Sequence, residues 1–143
     1  MVNLSNIYEA IKTILSNDTD LMAYLGAHKI FIGRDLPRLF VPPAIQIVGM
    51  TDNISEAWNQ SNCVFRINVY AMGNADGSAP LSLLAEIQDA IFDLLESQSL
   101  TVTGVRVFVV YIENRDADCI RDLDYDGEPG RYLMGTEWRI LAA

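Results

Sequence analysis

The chain has 143 residues, half of them hydrophobic and a fifth charged, enough for one domain (1–143) to bury a core without disulfides or metal. Ten Lys and Arg against nineteen Asp and Glu leave a net charge of −9, and the basic residues are scattered, which argues against specific nucleic-acid binding. No apolar run approaches the ~20 residues of a membrane helix, and the first residues lack a signal-peptide pattern, so the expectation is a soluble, cytoplasmically made protein with no membrane contact.

Leu4, Ile7, Ile11, Ile14 and Leu15 recur at three-four spacing and predict an amphipathic helix, with Glu9, Lys12 and Thr13 on its other side. Asp18 or Asp20 caps a second, short helix through Leu21, Met22 and Leu25, which Gly26 stops. Ile30 to Ile32 reads as a short strand ended by Gly33. Three prolines then keep residues 34–43 out of helix, and Pro42-Pro43 leads in extended form into a strand over Ala44 to Met50. Thr51 to Asn62 is polar apart from Trp58 and reads as a hairpin loop or a frayed extension of two strands.

The next strand alternates cleanly. Phe65, Ile67, Val69 and Ala71 share one face; Arg66, Asn68 and Tyr70 share the other, which is wet or meets a partner. Gly73 to Pro80 is a turn with helix-start chemistry, Ser78 as cap and Pro80 in the first turn. The long helix that follows places Leu81, Leu84, Ile87, Ile91, Leu94 and Leu95 on one stripe. Val105 to Ile112 is apolar on both faces and predicts a central strand covered on each side. Glu113 to Gly130 reads as a long acidic loop, and Arg131 to Leu141 as a last strand with Trp138 and Ile140 on one face.

These elements predict an α+β fold: a mostly antiparallel or mixed sheet of about four to five strands, with the N-terminal helix and the long helix packed mainly on one face. The strand–helix–strand unit over residues 64–112 offers one parallel pair through a right-handed crossover.

Little in the chain carries chemistry. Asp122, Asp124, Asp126 and Gly127 match the first half of a calcium loop, but the twelfth position is Leu133 and Pro129 sits mid-loop, so no metal is assigned and the loop reads as a solvated or partner-facing turn. His28 is the only histidine and reads as a structural helix-exit residue. No serine lies in a Gly-x-Ser-x-Gly elbow, Cys63 and Cys119 read as reduced, unreactive thiols, and the Gly73–Gly77 stretch lacks the Lys-Ser/Thr of a phosphate cradle. No catalytic residue or cofactor is therefore expected. Trp58 is either folded back onto the sheet or exposed as an anchor for a partner.

The order of elements resembles the tail-completion family of tailed bacteriophages, also called tail terminators or head–tail joining proteins. The residues that carry the resemblance are Ile7, Ile11, Ile14, Leu15, Asp20-Leu21 and Gly26, then Ile30-Phe31, Leu36-Pro37 and Pro43 to Ile47, then Phe65 to Ala71 and the helix from Leu84 to Leu95. The resemblance implies a non-enzymatic virion protein, assembled in the bacterial cytoplasm, whose copies close into a ring, commonly a hexamer. That ring terminates the tail tube and joins it to the head, so the implied partners are copies of itself, a tail-tube protein and a head-completion protein. Trp58, Arg66, Asn68 and Tyr70 are then candidates for a subunit or tube contact. The acidic residues Asp116, Asp118, Asp122, Asp124, Asp126 and Glu128 are candidates for the lumen or a docking edge. The competing expectation is a small cytosolic binding module whose acidic loop engages a cation or a basic partner.

Overall fold

The computed structural model describes residues 2–26, 29–37, 40–55, 60–97 and 100–143. His28 and Trp58 therefore lie outside the described residues.

Helix α1 runs Leu4–Ser16, capped by Asn3, whose side chain accepts from the Ser5 N–H at 3.0 Å. Its inward stripe is the expected one, with Ile7, Ile11 and Leu15 fully buried. Asp18 caps α2, Thr19–Leu25, by accepting from the Leu21 N–H at 2.8 Å, and Asp20 lies in the first turn. Gly26, at φ 72°, ends α2 in a conformation that costs an L side chain energy. Then follow β1 (Ile30–Ile32), β2 (Ala44–Ser55), β3 (Gln60–Met72), α3 (Leu81–Ser97), β4 (Val107–Arg115), β5 (Ile120–Arg121) and β6 (Arg131–Ala142). The polar stretch after Met50 is thus the extension of two strands, β2 and β3 pairing outward to Ser55 and Gln60.

The strands form one mixed sheet of six, in the order β1-β2-β3-β6-β4, with β5 pairing β6 beyond the end of β4. The expected count of about four to five is short by β5, whose two residues lie inside the acidic loop. Two further expectations are corrected. The parallel pair is β1 with β2, because β6 inserts between β3 and β4 and runs antiparallel to both. The apolar segment at Val105–Ile112 is not central: β4 is the outermost strand, with Phe108, Val109 and Tyr111 exposed at 49%, 39% and 38%. The interior place beside β3 goes to β6, which pairs β3 from Ser61–Ala142 to Met72–Arg131 without a break, whereas two register shifts interrupt β4 against β6.

The helices lie on one face of the sheet, where Phe65, Ile67, Val69, Ile45, Ile47, Trp138 and Ile140 are buried together with the helical stripes. Phe65 and Trp138 oppose each other across β3 and β6, and burial of each such ring contributes roughly 2–3 kcal/mol. On α3, Leu84, Ile87, Ile91 and Leu95 are buried as expected, whereas Leu81 is exposed. A polar residue joins that stripe. Gln88 is buried and donates through Nε2 to the carbonyls of Met134 at 2.7 Å and Ile67 at 3.2 Å. Its Oε1 accepts from Thr136 at 3.2 Å, and Trp138 Nε1 donates to the Thr136 hydroxyl at 2.8 Å. The helix is thereby pinned at one height on the β3–β6 pair. No described helix is long and apolar enough to cross a membrane.

Candidate assembly surface

Strand period puts Arg66, Asn68 and Tyr70 on the sheet face opposite the helices. In place of helices, that face meets residues 33–37 and 40–43, between β1 and β2, and residues 116–130, between β4 and β6. The three side chains are half-buried or buried beneath those loops.

Gln46 on β2 organises the first loop. Its Nε2 donates to the carbonyls of Gly33 at 2.9 Å and Arg34 at 3.0 Å. Its Oε1 accepts from Tyr70 Oη at 3.0 Å and from Asn68 Nδ2 at 3.3 Å. One amide thus ties β3 to the chain that leaves β1, with every polar atom satisfied. Burial, with the Asp122 carboxylate as a further cause, pushes the Tyr70 phenol above its ordinary value.

The acidic loop divides into two sets of side chains. Asp116 and Asp122 point inward. Asp116 Oδ2 accepts from Arg66 Nη2 at 2.9 Å and from the Gly135 N–H at 2.8 Å, while Arg66 also reaches Glu137 at 3.6 Å. Asp122 is buried; its Oδ2 accepts from Arg131 Nε at 2.8 Å and its Oδ1 from the Asp124 N–H at 3.0 Å. The Arg131 guanidinium is stacked over the rings of Phe40 at 4.4 Å, Tyr125 at 5.0 Å and Tyr70 at 5.8 Å. Asp118, Asp124, Asp126 and Glu128 face solvent, and of these Glu128 pairs with Arg121 at 3.2 Å. Leu123, between the buried Asp122 and the exposed Asp124, is 92% exposed.

Between the two loops lies an open groove of about 620 Å³, floored by Gln46, Val48, Asn68 and Tyr70 and rimmed by Arg34, Asp35, Asp124 and Arg131. Both signs of charge stand on its rim. Asp122 is already committed to Arg131 and to a backbone N–H, so it does not converge with Asp124 and Asp126 on a common point. Among the described residues no group of three His, Cys, Asp or Glu is placed to hold a metal ion.

Elsewhere, Cys63 and Tyr8 meet in the core at 3.3 Å, and burial raises both groups above their ordinary values. Cys119 is half-buried and also raised, by burial first and the Asp118 carboxylate second, so neither thiol is activated as a nucleophile. Gln46 and Gln88 organise the molecule without having been singled out in the sequence. Gln88 is a polar residue on the stripe that the helical period assigns to the core, and Gln46 stands between the apolar Ala44 and Val48 on the other face of β2; a polar residue in each of these settings is the signal that identifies them.

No family model matches the chain, and no curated protein matches it. Among solved structures, the chain is similar to one described as the virion of a native gene transfer agent (GTA) particle. The TM-score is 0.68 at 14% identity, over 95% of this chain and 93% of the other.

Proposed function

We propose that this chain is a non-enzymatic structural subunit of a phage or phage-like particle, one whose copies form a ring that terminates the tail tube and joins it to the head. The observation that carries the reading is the shared fold with a chain of a gene transfer agent virion, which extends over nearly the full length of both chains. The order of elements that resembles the tail-completion family points the same way. Its partners are then other copies of itself, a tail-tube protein and a head-completion protein, and its place is the assembled virion.

Within that reading the acidic loop lines the lumen or the tube-facing edge. The outward carboxylates Asp118, Asp124 and Asp126 suit a conduit through which DNA slides, because like charge suppresses phosphate contacts. Asp116 and Asp122 hold the loop in shape through Arg66 and Arg131.

The test is assembly. Purified protein at rising concentration, followed by light scattering and negative-stain imaging, is expected to give closed rings of one size, alone or on added tail tubes. A chain that stays monomeric under both conditions overturns the reading. Asp118→Asn, Asp124→Asn and Asp126→Asn combined are expected to leave ring formation intact and to lower DNA delivery by the particles.

A further inference from the structure

A ring built from one kind of contact needs two different surfaces on each copy, related by the rotation that closes the ring. The sheet has two open edges. On one side no described strand pairs with the outer edge of β4. On the other, β1 covers β2 only from Ile45 to Ile47, so no described strand pairs with the outer edge of β2 from Val48 onward.

The sheet register places these two edges at the same height. Val109 is level with Leu141, Asn62 and Asn53; Tyr111 is level with Arg139, Val64 and Thr51; Ile112 is level with Trp138, Phe65 and Gly49. The open stretch of β4, Val107–Ile112, and the open stretch of β2, Gly49–Ile54, therefore occupy the same rows at opposite ends of one sheet. Their directions also match. β3 and β6 alternate between them, so β2 and β4 run antiparallel, and a rotation about an axis along the strands preserves that relation.

We propose that β4 of one copy pairs antiparallel with the outer edge of β2 of the next, so that the sheets of successive copies continue into one another around the ring. The inference rests on the ring reading above and names its contact.

The composition of the edges fits a second copy as the occupant. Neither stretch contains the Lys or Pro that guards a sheet edge against pairing. Val107–Ile112 has no charged residue, with Arg106 before it and Glu113 after it, while the β2 stretch has one charge, Asp52. In a molecule of net charge −9, these nearly uncharged edges are surfaces where two copies meet with little repulsion. Exposed apolar side chains stand on both, Phe108, Val109 and Tyr111 on one and Met50 and Ile54 on the other. Five rows of pairing bury well under the roughly 800 Å² per partner of a standard stable interface. Two copies alone therefore separate readily, whereas ring closure holds every copy on both sides.

Disulfide trapping tests this without requiring a stable ring. In a Cys119→Ser background, one chain carries Val109→Cys and another Asn53→Cys; both side chains project from the sheet face opposite the helices, on one row. Mixed under mild oxidation, they are expected to form a heterodimer about tenfold faster than Val109→Cys mixed with the helix control Lys12→Cys, because paired residues bring their Cβ atoms within disulfide reach. Tyr111→Cys, on the same face as Val109, against Asn53→Cys reads a slip of two residues in register. The chain carrying both Val109→Cys and Asn53→Cys is expected to close into covalent rings. The inference is overturned if no β4 position couples to Asn53→Cys above the control, or if Val109→Cys alone dimerises as fast. Rings seen for the parent chain without this coupling sink the contact and leave the ring reading standing. Coupling that gives only open-ended polymers keeps the contact and removes the ring.

Discussion

Arg131 donates through Nε to Asp122 Oδ2 at 2.8 Å, and the two side chains keep only 11% and 9% of their exposure. Nine residues apart in sequence, they clamp the acidic loop onto the first residue of β6. The Asp122 N–H donates back to the Arg131 carbonyl at 2.7 Å, and three aromatic rings lie against the guanidinium. The loop that reads as solvated in sequence is anchored at this point by a charge pair largely withdrawn from water.

Removing one partner of that pair leaves the other buried and uncompensated. Arg131→Ala is expected to destabilise the fold by about 3 kcal/mol, and Arg131→Lys, which keeps the charge and loses the planar stacking, by about 1–2 kcal/mol. Urea denaturation of each variant, with a double-mutant cycle to Asp122→Asn, checks both values and the coupling between the residues.

Gln88 faces the Ile67 and Met134 carbonyls with its amide nitrogen. Gln88→Leu is expected to cost about 1–2 kcal/mol, the lost bonds partly offset by added apolar burial. Gln88→Glu is expected to cost more, because a carboxylate oxygen would then face two carbonyl oxygens in the core. Thermal unfolding near neutral pH reads the order, and a Gln88→Glu variant as stable as Gln88→Leu would contradict the donor role.

Gly135 lies where β6 passes beneath the Arg66–Asp116 pair, and a Cβ built there would fall on Arg66 Nη2 and Asn68 Oδ1. Gly135→Ala is expected to push Arg66 off Asp116 and to destabilise the protein by about 1–3 kcal/mol. Gly26→Ala is the contrast: nothing lies within 4 Å of the added Cβ, and only the backbone, at φ 72° and ψ −175°, penalises it, by roughly 1–3 kcal/mol. Denaturation midpoints of the two variants separate steric displacement from backbone strain.

Alkaline pH is expected to weaken the fold. Burial is the largest cause holding Tyr8, Cys63 and Tyr70 above their ordinary values, 9.0 for the thiol and 10.0 for the phenols. The folded chain thus binds these protons more tightly than the unfolded one. Their contribution is complete below the unfolded values and is lost as pH rises through the higher folded values. The urea midpoint is expected to hold up to about pH 9 and to fall above it, with a shallower fall in Tyr8→Phe.

Local elements were legible because their signals are local. The stripe Ile7, Ile11, Leu15 and the alternation Phe65, Ile67, Val69 report burial through the 3.6- and 2-residue periods of their own backbones. The strand at Val107 was legible as a strand and misplaced in the sheet. Apolar residues on both faces fit a strand covered on each side, and equally one whose exposed edge awaits a neighbour. Which of the two holds depends on where β6 inserts, and β6 begins more than a dozen residues further along the chain.

The candidate surface was legible by composition alone. Asp122 and Asp124 are indistinguishable in sequence, yet one is buried against Arg131 and the other faces solvent. Arg66, Asn68 and Tyr70 shared a face as expected, but the segments that roof them come from residues 33–37, 40–43 and 116–130.

By itself, the sequence determined the helices, the strands other than β5, the inward residues of α1 and β3 and the strong negative charge, because these follow from backbone periodicity and from counting. Only the tertiary structure decided the order of the strands, which acids lie inside and which outside, and that the two open edges share the same rows. Those relations join residues tens of positions apart, and they are set by which long pairings bury the most surface once the chain is folded, a competition that no local pattern records.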